Sequence, residues 1–294
     1  MTLRHPFLYK AELIRRVREF LHQEGFIELA TPIIRRYNGH QFCRRLHLKD
    51  GRYLRESPAH ALRYNLEIAD KIFEIAPCFR SDSPDSSHLW EFLMLDLYAR
   101  NCCLLDVMQL AQDLLRLFYD KPIEHLSFAE FVRDQHGIDF FDNPNADVDF
   151  STCLQEKYGY DHPSYLKRFD QFVVDHIEPR SKDRCLVVVD FPLAAEPRAK
   201  RREGTVGVAD RFEFQINGIE IFHGYTDETD LDAVAERAKR WDLFGTEEQI
   251  MNNLLSSGKV PSQSAGFGFG IERLCQVCTD EKEISKFTTS KEVV

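Results

Sequence analysis

Three places along this chain set charged side chains into otherwise apolar frames. The first is KIFEIAPCFRSDSPDSSHLWEFLMLDLY, residues 71–98, where two apolar runs flank a loop rich in Ser, Asp and Pro and carry Arg80, Asp82, His88 and Glu91 around it. The second is RFEFQINGIEIFHGY, which places Glu213 and Glu220 on the two arms of a hairpin turning at Asn217-Gly218. The turn sets their facing, so both can approach one divalent ion through oxygen ligands. The third is Arg273, just after GFGFG, where glycines allow a ligand or a backbone to come close. Arginine grips phosphate oxygens in a fork, and carboxylates hold the metal that bridges them. Together these residues suit a nucleoside triphosphate with Mg²⁺. Taken singly, each has a plainer reading. Arg80 and Asp82 also suit an exposed turn pair, Glu213 and Glu220 the solvent face of a hairpin, and GFGFG a strand bulge. No Lys-Ser or Lys-Thr follows GFGFG, so it is not a Walker loop.

The elements that must position these groups follow from periodicity. LYKAELIRRVREFLHQEG, residues 8–25, repeats Leu8, Leu13, Val17 and Leu21 near one helical face and ends on Gly25. FIEL and RYLR (52–55) read as short strands. SPAHALRYNLEIAD reads as a helix with Ser57 as N-cap and Pro58 at its first position. LLDVMQLAQDLLRLFYD is amphipathic, DRCLVVVDFP is a buried strand, and residues 121–183 look irregular with one helix near 164–176. DLDAVAERAKRWDLF and TEEQIMNNLLSSG read as helices, and SAGFGFGIERLCQVCTD as a strand running into a helix. Runs of strands with helices outside give an α+β fold around a mixed or antiparallel sheet. No composition break divides residues 1–294, so one domain is expected.

Composition narrows the class. The net charge of −10 offers no global attraction for nucleic acid or an anionic membrane. No stretch approaches the length of a membrane helix, and the N-terminus lacks a signal-peptide core. The eight cysteines are scattered, several within apolar runs, and read as reduced thiols of a cytoplasmic protein. The one CxxC, Cys275 and Cys278, has no partner pair and reads as a helical core face rather than zinc.

IFEIAPCFR-x-D, HLWEF and GFGFGIERL resemble motifs 2 and 3 of class II aminoacyl-tRNA synthetases, and FIELATPII, with Pro32, more weakly resembles motif 1. VVDFPLAAEPRAKR and DRFEFQINGIEIFHGYTDETD resemble the lysyl and aspartyl/asparaginyl branch. The similarity runs from about Leu8 to the end. It implies a class II antiparallel sheet flanked by helices, and an enzyme that joins a carboxylate to the α-phosphate of ATP with release of pyrophosphate. By this resemblance Arg80 contacts the α-phosphate and the attacked carboxylate, His88 lies near the γ-phosphate, and Phe92 stacks on adenine. Arg273 holds the γ-phosphate and stacks on the ring's other side, while Glu213 and Glu220 bind Mg²⁺. Motif 1 implies a homodimer.

The departures are as informative. Asp82 stands where motif 2 has a glutamate. Ala59 stands where lysyl enzymes have a glutamate that helps bind the substrate amino group. His223 replaces an asparagine and Asp227 a glutamate, with Tyr225 between them. The amino-acid pocket, comprising Ala59, His223, Tyr225 and Asp227, is thus rebuilt around a kept nucleotide site. Asp227 in the pocket would pair with a cationic substrate group, which suggests an amine-bearing amino acid other than plain α-lysine; alternatively Asp227 turns away to bind a structural arginine such as Arg211. The chain starts at the catalytic domain's first helix, without the family's anticodon-binding barrel, so tRNA is not expected as partner. Free-standing relatives of this kind include the ligase that attaches β-lysine to elongation factor P and an ammonia-dependent asparagine synthetase. Three functions follow: a ligase passing an activated amino acid to a protein or small molecule, an amide synthetase or truncated tRNA-charging enzyme, and a non-catalytic ligand-binding paralogue. The retained site residues disfavour the last, and Asp82 favours it.

Overall fold

Strand pairing in the computed structural model, which describes residues 5–36, 46–196, 198–240 and 253–288, decides where the charged groups meet. The elements in chain order begin with α1 (Pro6–Gln23), β1 (Ile27–Glu28), β2 (Ile34–Arg35), β3 (Tyr53–Leu54) and α2 (Ala59–Asn65). Then come β4 (Lys71–Phe79), β5 (Glu91–Arg100), α3 (Leu104–Arg116), β6 (Ile123–Ser127), α4 (Phe128–His136), α5 (Ala146–Glu156) and α6 (Tyr165–Phe172). The last are β7 (Cys185–Val189), β8 (Arg211–Ile216), β9 (Ile219–Thr226), α7 (Leu231–Arg240), β10 (Ser264–Gly270) and α8 (Ile271–Thr279). Eight strands form one sheet in the order β1-β4-β5-β10-β9-β8-β7-β6. The inner pairs are antiparallel, whereas the outermost pairs, β1 with β4 and β6 with β7, are parallel. The expected antiparallel α+β sheet is therefore present with parallel edges.

Alternation sorts side chains onto two faces. On β5, Leu95, Leu97 and Ala99 join the main core, which also takes α1, α3 and α8. Phe92, Met94, Asp96 and Tyr98 face the other way, into a cavity. On β10, Phe267 and Phe269 go to the core while the glycines alternating with them face the cavity. GFGFG is thus a regular strand, with Gly266 opposite Tyr98 and Gly268 opposite Asp96. A Cβ on Gly268 would lie 2.0 Å from Oδ1 of Asp96. The Asn217-Gly218 turn has both residues at positive φ, 51° and 78°, as a tight two-residue hairpin requires.

Helix α1 buries Tyr9, Leu13, Val17 and Leu21, and Leu8 is exposed, so the apolar stripe is shifted from the expected one by one residue at its start. Helix α2 is shorter than its sequence suggests; Ser57 Oγ accepts from Ala59 N at 2.9 Å, ahead of the assigned helix start, and a turn follows Asn65. The helix expected near 164–176 is present as α6, but the rest of segment 121–183 is not irregular. The segment holds β6, α4, α5 and α6, gathered round Phe128, Phe150, Phe169 and Phe172 as a second core under β7. Helix α7 matches the first part of DLDAVAERAKRWDLF; the remainder and most of TEEQIMNNLLSSG lie outside the described residues. The described cysteines are free thiols, and Cys275 is buried on α8, as expected for a core face. A buried ion pair, Arg55 with Glu74 at 2.8 Å, clamps the segment after β1 to β4: Glu74 also accepts from Thr31 Oγ1 at 2.7 Å.

The β5–β10 register makes one test direct. Gly268→Ala is expected to cost about 1–3 kcal/mol through overpacking. Gly270→Ala, whose Cβ would have Arg273 carbons as its nearest neighbours at 3.8 Å or more, is expected to cost less than ~1 kcal/mol. Urea unfolding measures both, and equal midpoints would contradict this close approach.

Candidate active site

The cavity of about 300 Å³ lies over β5, β9 and β10 and is closed at one mouth by the 80–90 loop. Arg80, the first residue past β4, bonds through its backbone N to the Trp90 carbonyl at 3.0 Å, which closes the hairpin. Its guanidinium lies 5.2 Å from the centre of the Phe92 ring. Its Nε is buried without a hydrogen-bond partner among the described residues. Arg273, on the first turn of α8, donates Nη1 to the Glu220 carbonyl and Nε to the Ser87 carbonyl, each at 3.3 Å. Its Nη2 lies 2.9 Å from Nε2 of His88. Since an arginine can only donate, that ring nitrogen accepts, and Nδ1–H points at Asp85, 2.9 Å away. Burial lowers the Arg273 pKa from its ordinary value; Glu220 opposes the shift and Arg80 adds to it. Two guanidiniums and an aromatic ring thus face one cavity end, and the orphaned Nε of Arg80 fits a phosphate oxygen. Asp82 lines the same end.

The other end is built from Ala59, Asp96, Tyr98, His223 and Tyr225. Ser57 donates from Oγ to Asp96 Oδ2 at 2.8 Å. Burial pushes the Asp96 carboxyl up to about 7, against the pull of Ser57, Arg80 and His223. Arg198 also lines this end and grips Glu196 through Nε–Oε1 at 2.7 Å and Nη2–Oε2 at 3.0 Å. Burial works against ionisation of Glu196, but Arg198 and His223 hold its pKa well below the ordinary carboxylate value.

Asp227 is corrected. It continues the cavity face of β9 beyond His223 and Tyr225, yet it is 1% exposed and does not line the cavity. Arg63 of α2 covers it, with Nε 3.0 Å from Oδ1, and Ser264 Oγ donates to Oδ2. The partner is Arg63 rather than Arg211, which is held by Glu213.

Glu213 and Glu220 converge as expected from the hairpin. Glu213 is buried against Arg211 and accepts from Gln215 Nε2 at 3.1 Å, while Glu220 reaches the cavity. Ligand atoms of Glu213, Glu220 and His223 all lie within 4.8 Å of one another. Burial raises the Glu178 carboxyl to about 7, and Glu220 and Glu213 push it further in that direction. This excess of negative charge, on oxygen donors, fits a divalent cation.

Sequence reading missed Asp85, Asp96, Glu196 and Arg198. Asp96 was accessible, because it shares the parity of Phe92 along β5. Glu196 and Arg198 lie in a loop without periodicity, so no local signal marks them. Among the described residues no helix is long and apolar enough to cross a membrane.

Residues 2–289 match the family described as tRNA synthetases class II (D, K and N). Lysine–tRNA ligase of Saccharolobus solfataricus is 27% identical over 93% of this chain and 62% of its own length. The protein of the same name from Thioalkalivibrio sulfidiphilus is 26% identical over 96% of this chain and 63% of its own. That of Roseiflexus sp. is 27% identical over 96% and 64%. The chain therefore spans a little under two thirds of the length of these relatives. The sheet, the paired arginines across the cavity and the match over nearly all its residues agree: this chain belongs to the class II tRNA synthetases of the D, K and N group.

Proposed function

We propose that the chain activates an amine-bearing amino acid with ATP, forming an aminoacyl-adenylate and pyrophosphate. The observation that carries this reading is the pair Arg80 and Arg273 facing one cavity beside Phe92, with the buried Nε of Arg80 lacking a partner among the described residues. In this reading Phe92 supports adenine, Arg80 neutralises the α-phosphate and the incoming carboxylate, and Arg273 with His88 holds the far phosphates. Asp82 lies where it can meet the base, directly or through water. Glu213 and Glu220 would hold Mg²⁺, which supplies charge neutralisation on the triphosphate. No general base is needed, because the attacking carboxylate is already ionised; rate comes from alignment and fixed charge.

Asp96 supports the choice of an amine. It is the cavity-facing carboxylate four residues along β5 from Phe92, held by Ser57 beside Ala59, where the side chain itself offers no acid. An amino acid lying along the cavity would present its carboxylate to Arg80 and an ammonium to Asp96. Its acceptor, in this proposal, is a protein lysine or a small molecule rather than tRNA, a choice favoured by the net charge of −10. One observation favours a second reading. Arg198 lines the same end, and a guanidinium there suits a substrate carboxylate, as an amide synthetase acting on an acidic amino acid would need. The grip of Glu196 on Arg198 weighs against it.

A homodimer is part of the proposal. Ile27 and Ile34 are 53% and 47% exposed on the two short strands either side of Pro32, as expected of positions covered by a second copy. Sedimentation velocity at micromolar concentration is expected to give a dimer; a monomer would count against it.

Amino-acid-dependent exchange of labelled pyrophosphate into ATP tests the chemistry. Arg80→Ala and Arg273→Ala are each expected to lower exchange by ~10²–10³. Full exchange in both variants would remove the nucleotide assignment. Exchange with aspartate and with no diamino acid would promote the amide-synthetase reading.

The Asp96 carboxyl must ionise to pair with an ammonium, and its raised pKa of about 7 sets the sign. kcat/KM for the amino acid is expected to rise with pH through about 7 and to fall below it. Asp96→Asn is expected to raise KM for the amino acid and remove this limb while KM for ATP changes little. An unchanged pH profile in Asp96→Asn would exclude the pairing.

A further inference from the structure

We infer that His223 is a third ligand to the ion held by Glu213 and Glu220, and that the site therefore prefers Mn²⁺ over Mg²⁺. The inference rests on the reading that these two glutamates hold the metal of the ATP site. All three side chains offer donor atoms within 4.8 Å of one another, close enough to share one ion. Nδ1 of His223 lies 3.8 Å from Oε1 of Glu220, while Nε2 lies 3.4 Å from Oε2 of Glu196. The ring is thus directed both ways. One nitrogen faces the acids of the metal site and the other faces a buried carboxylate.

That second carboxylate has the form expected behind a metal-bound histidine. An imidazole that ligates a metal almost always gives its other N–H to a carboxylate or carbonyl, which fixes the tautomer. Here Glu196 would take Nε2–H and leave the Nδ1 lone pair toward Glu220. Glu196 is itself locked by two contacts from Arg198, at 2.7 and 3.0 Å, so the ring is held by a fixed partner. The competing role for His223 is a cation bridging Glu196 and Glu220. Glu196 has no need of one, because Arg198 already compensates its charge. Glu213, in turn, uses Oε1 for Arg211 and Oε2 for Gln215, and each carboxylate oxygen retains a further lone pair.

An imidazole changes which ion is favoured. Mg²⁺ demands near-ideal octahedral oxygen ligation and parts with water reluctantly. Imidazole suits the later first-row ions, and carboxylates suit Mg²⁺, Ca²⁺ and Mn²⁺. Replacing an oxygen donor by one imidazole beside two carboxylates therefore shifts the preference from Mg²⁺ toward Mn²⁺.

The full chain, freed of metal by chelation and without nucleotide, can be titrated with Mn²⁺ while the free-ion electron paramagnetic resonance signal is followed. Mg²⁺ competition then gives the second affinity. Wild type is expected to bind Mn²⁺ more tightly than Mg²⁺, and its bound Mn²⁺ is expected to show ¹⁴N spin-echo modulation from an imidazole. His223→Asn should abolish the modulation and weaken Mn²⁺ about 10-fold or more while Mg²⁺ changes far less; Glu196→Gln should weaken Mn²⁺ by a smaller factor. Absence of ¹⁴N modulation in wild type overturns the inference whatever the variants do. Glu220→Gln separates the two levels: if it releases the ion and His223→Asn does not, the glutamate site stands and the third ligand falls. If neither substitution affects either ion, the metal reading falls with it.

Discussion

An acid can stand on the floor of this cavity only because the strand opposite has no side chain there. The β5–β10 pairing puts Gly268 against Asp96, and a single added carbon would sit 2.0 Å from the carboxylate. The same pairing sends Phe267 and Phe269 into the core. Core and site are therefore two faces of one alternation. Strand register, once set by the core phenylalanines, also sets which residues see the ligand. Slipping by one residue would turn glycines toward the core and phenylalanines into the cavity. The spacing of functional groups follows from the strand repeat: Phe92 and Asp96 share a face four residues apart, roughly 13 Å. In the proposed reading that separation divides a nucleotide end from an amino-acid end.

Much of this was legible because it is local. The Asn217-Gly218 turn fixes its own hairpin, and Glu213 and Glu220 come together as a consequence. Arg80, His88 and Phe92 are neighbours across one loop. What could not be read was decided by partners distant in sequence. Asp227 has the parity of a cavity residue, but Arg63 of α2 neutralises it from above. Nothing near Asp227 announces that arginine. Residues 121–183 failed in part, for a different reason. The helix expected near 164–176 is present as α6; the others, α4 and α5, have 9 and 11 residues, so few turns exist over which a period can declare itself. Their stability comes from the aromatic cluster around Phe172, which assembles only in three dimensions.

The arrangement of charge explains how a cavity so rich in ionisable groups stays ordered. Around and behind the cavity, buried carboxylates are held by fixed partners: Glu272 by Lys10, Glu213 by Arg211, Glu196 by Arg198, Asp227 by Arg63. Each such pair is costly to break, about 3–5 kcal/mol when one buried partner is removed. They form a rigid surround. Inside it stand the groups whose charge is poorly balanced: Arg273, whose pKa burial lowers, Asp96, whose carboxyl is raised to about 7, and Glu178, raised likewise. Imbalance of this sort is stored electrostatic energy that a ligand of opposite sign can release.

That distinction also ranks the two substrate readings. Asp96 gains on meeting an ammonium, because a charge that is costly alone becomes paired. Arg198 gains little from a substrate carboxylate, since two contacts to Glu196 already satisfy its charge, and rotating it toward a ligand would strand Glu196 in a buried setting. His223 leans on the same carboxylate. Moving Arg198 would therefore unsettle the ring that stands beside Glu220, and with it the donor cluster. In the proposed reading the amino-acid end and the metal end are coupled through Glu196, and the coupling favours a substrate that leaves the Glu196–Arg198 pair intact.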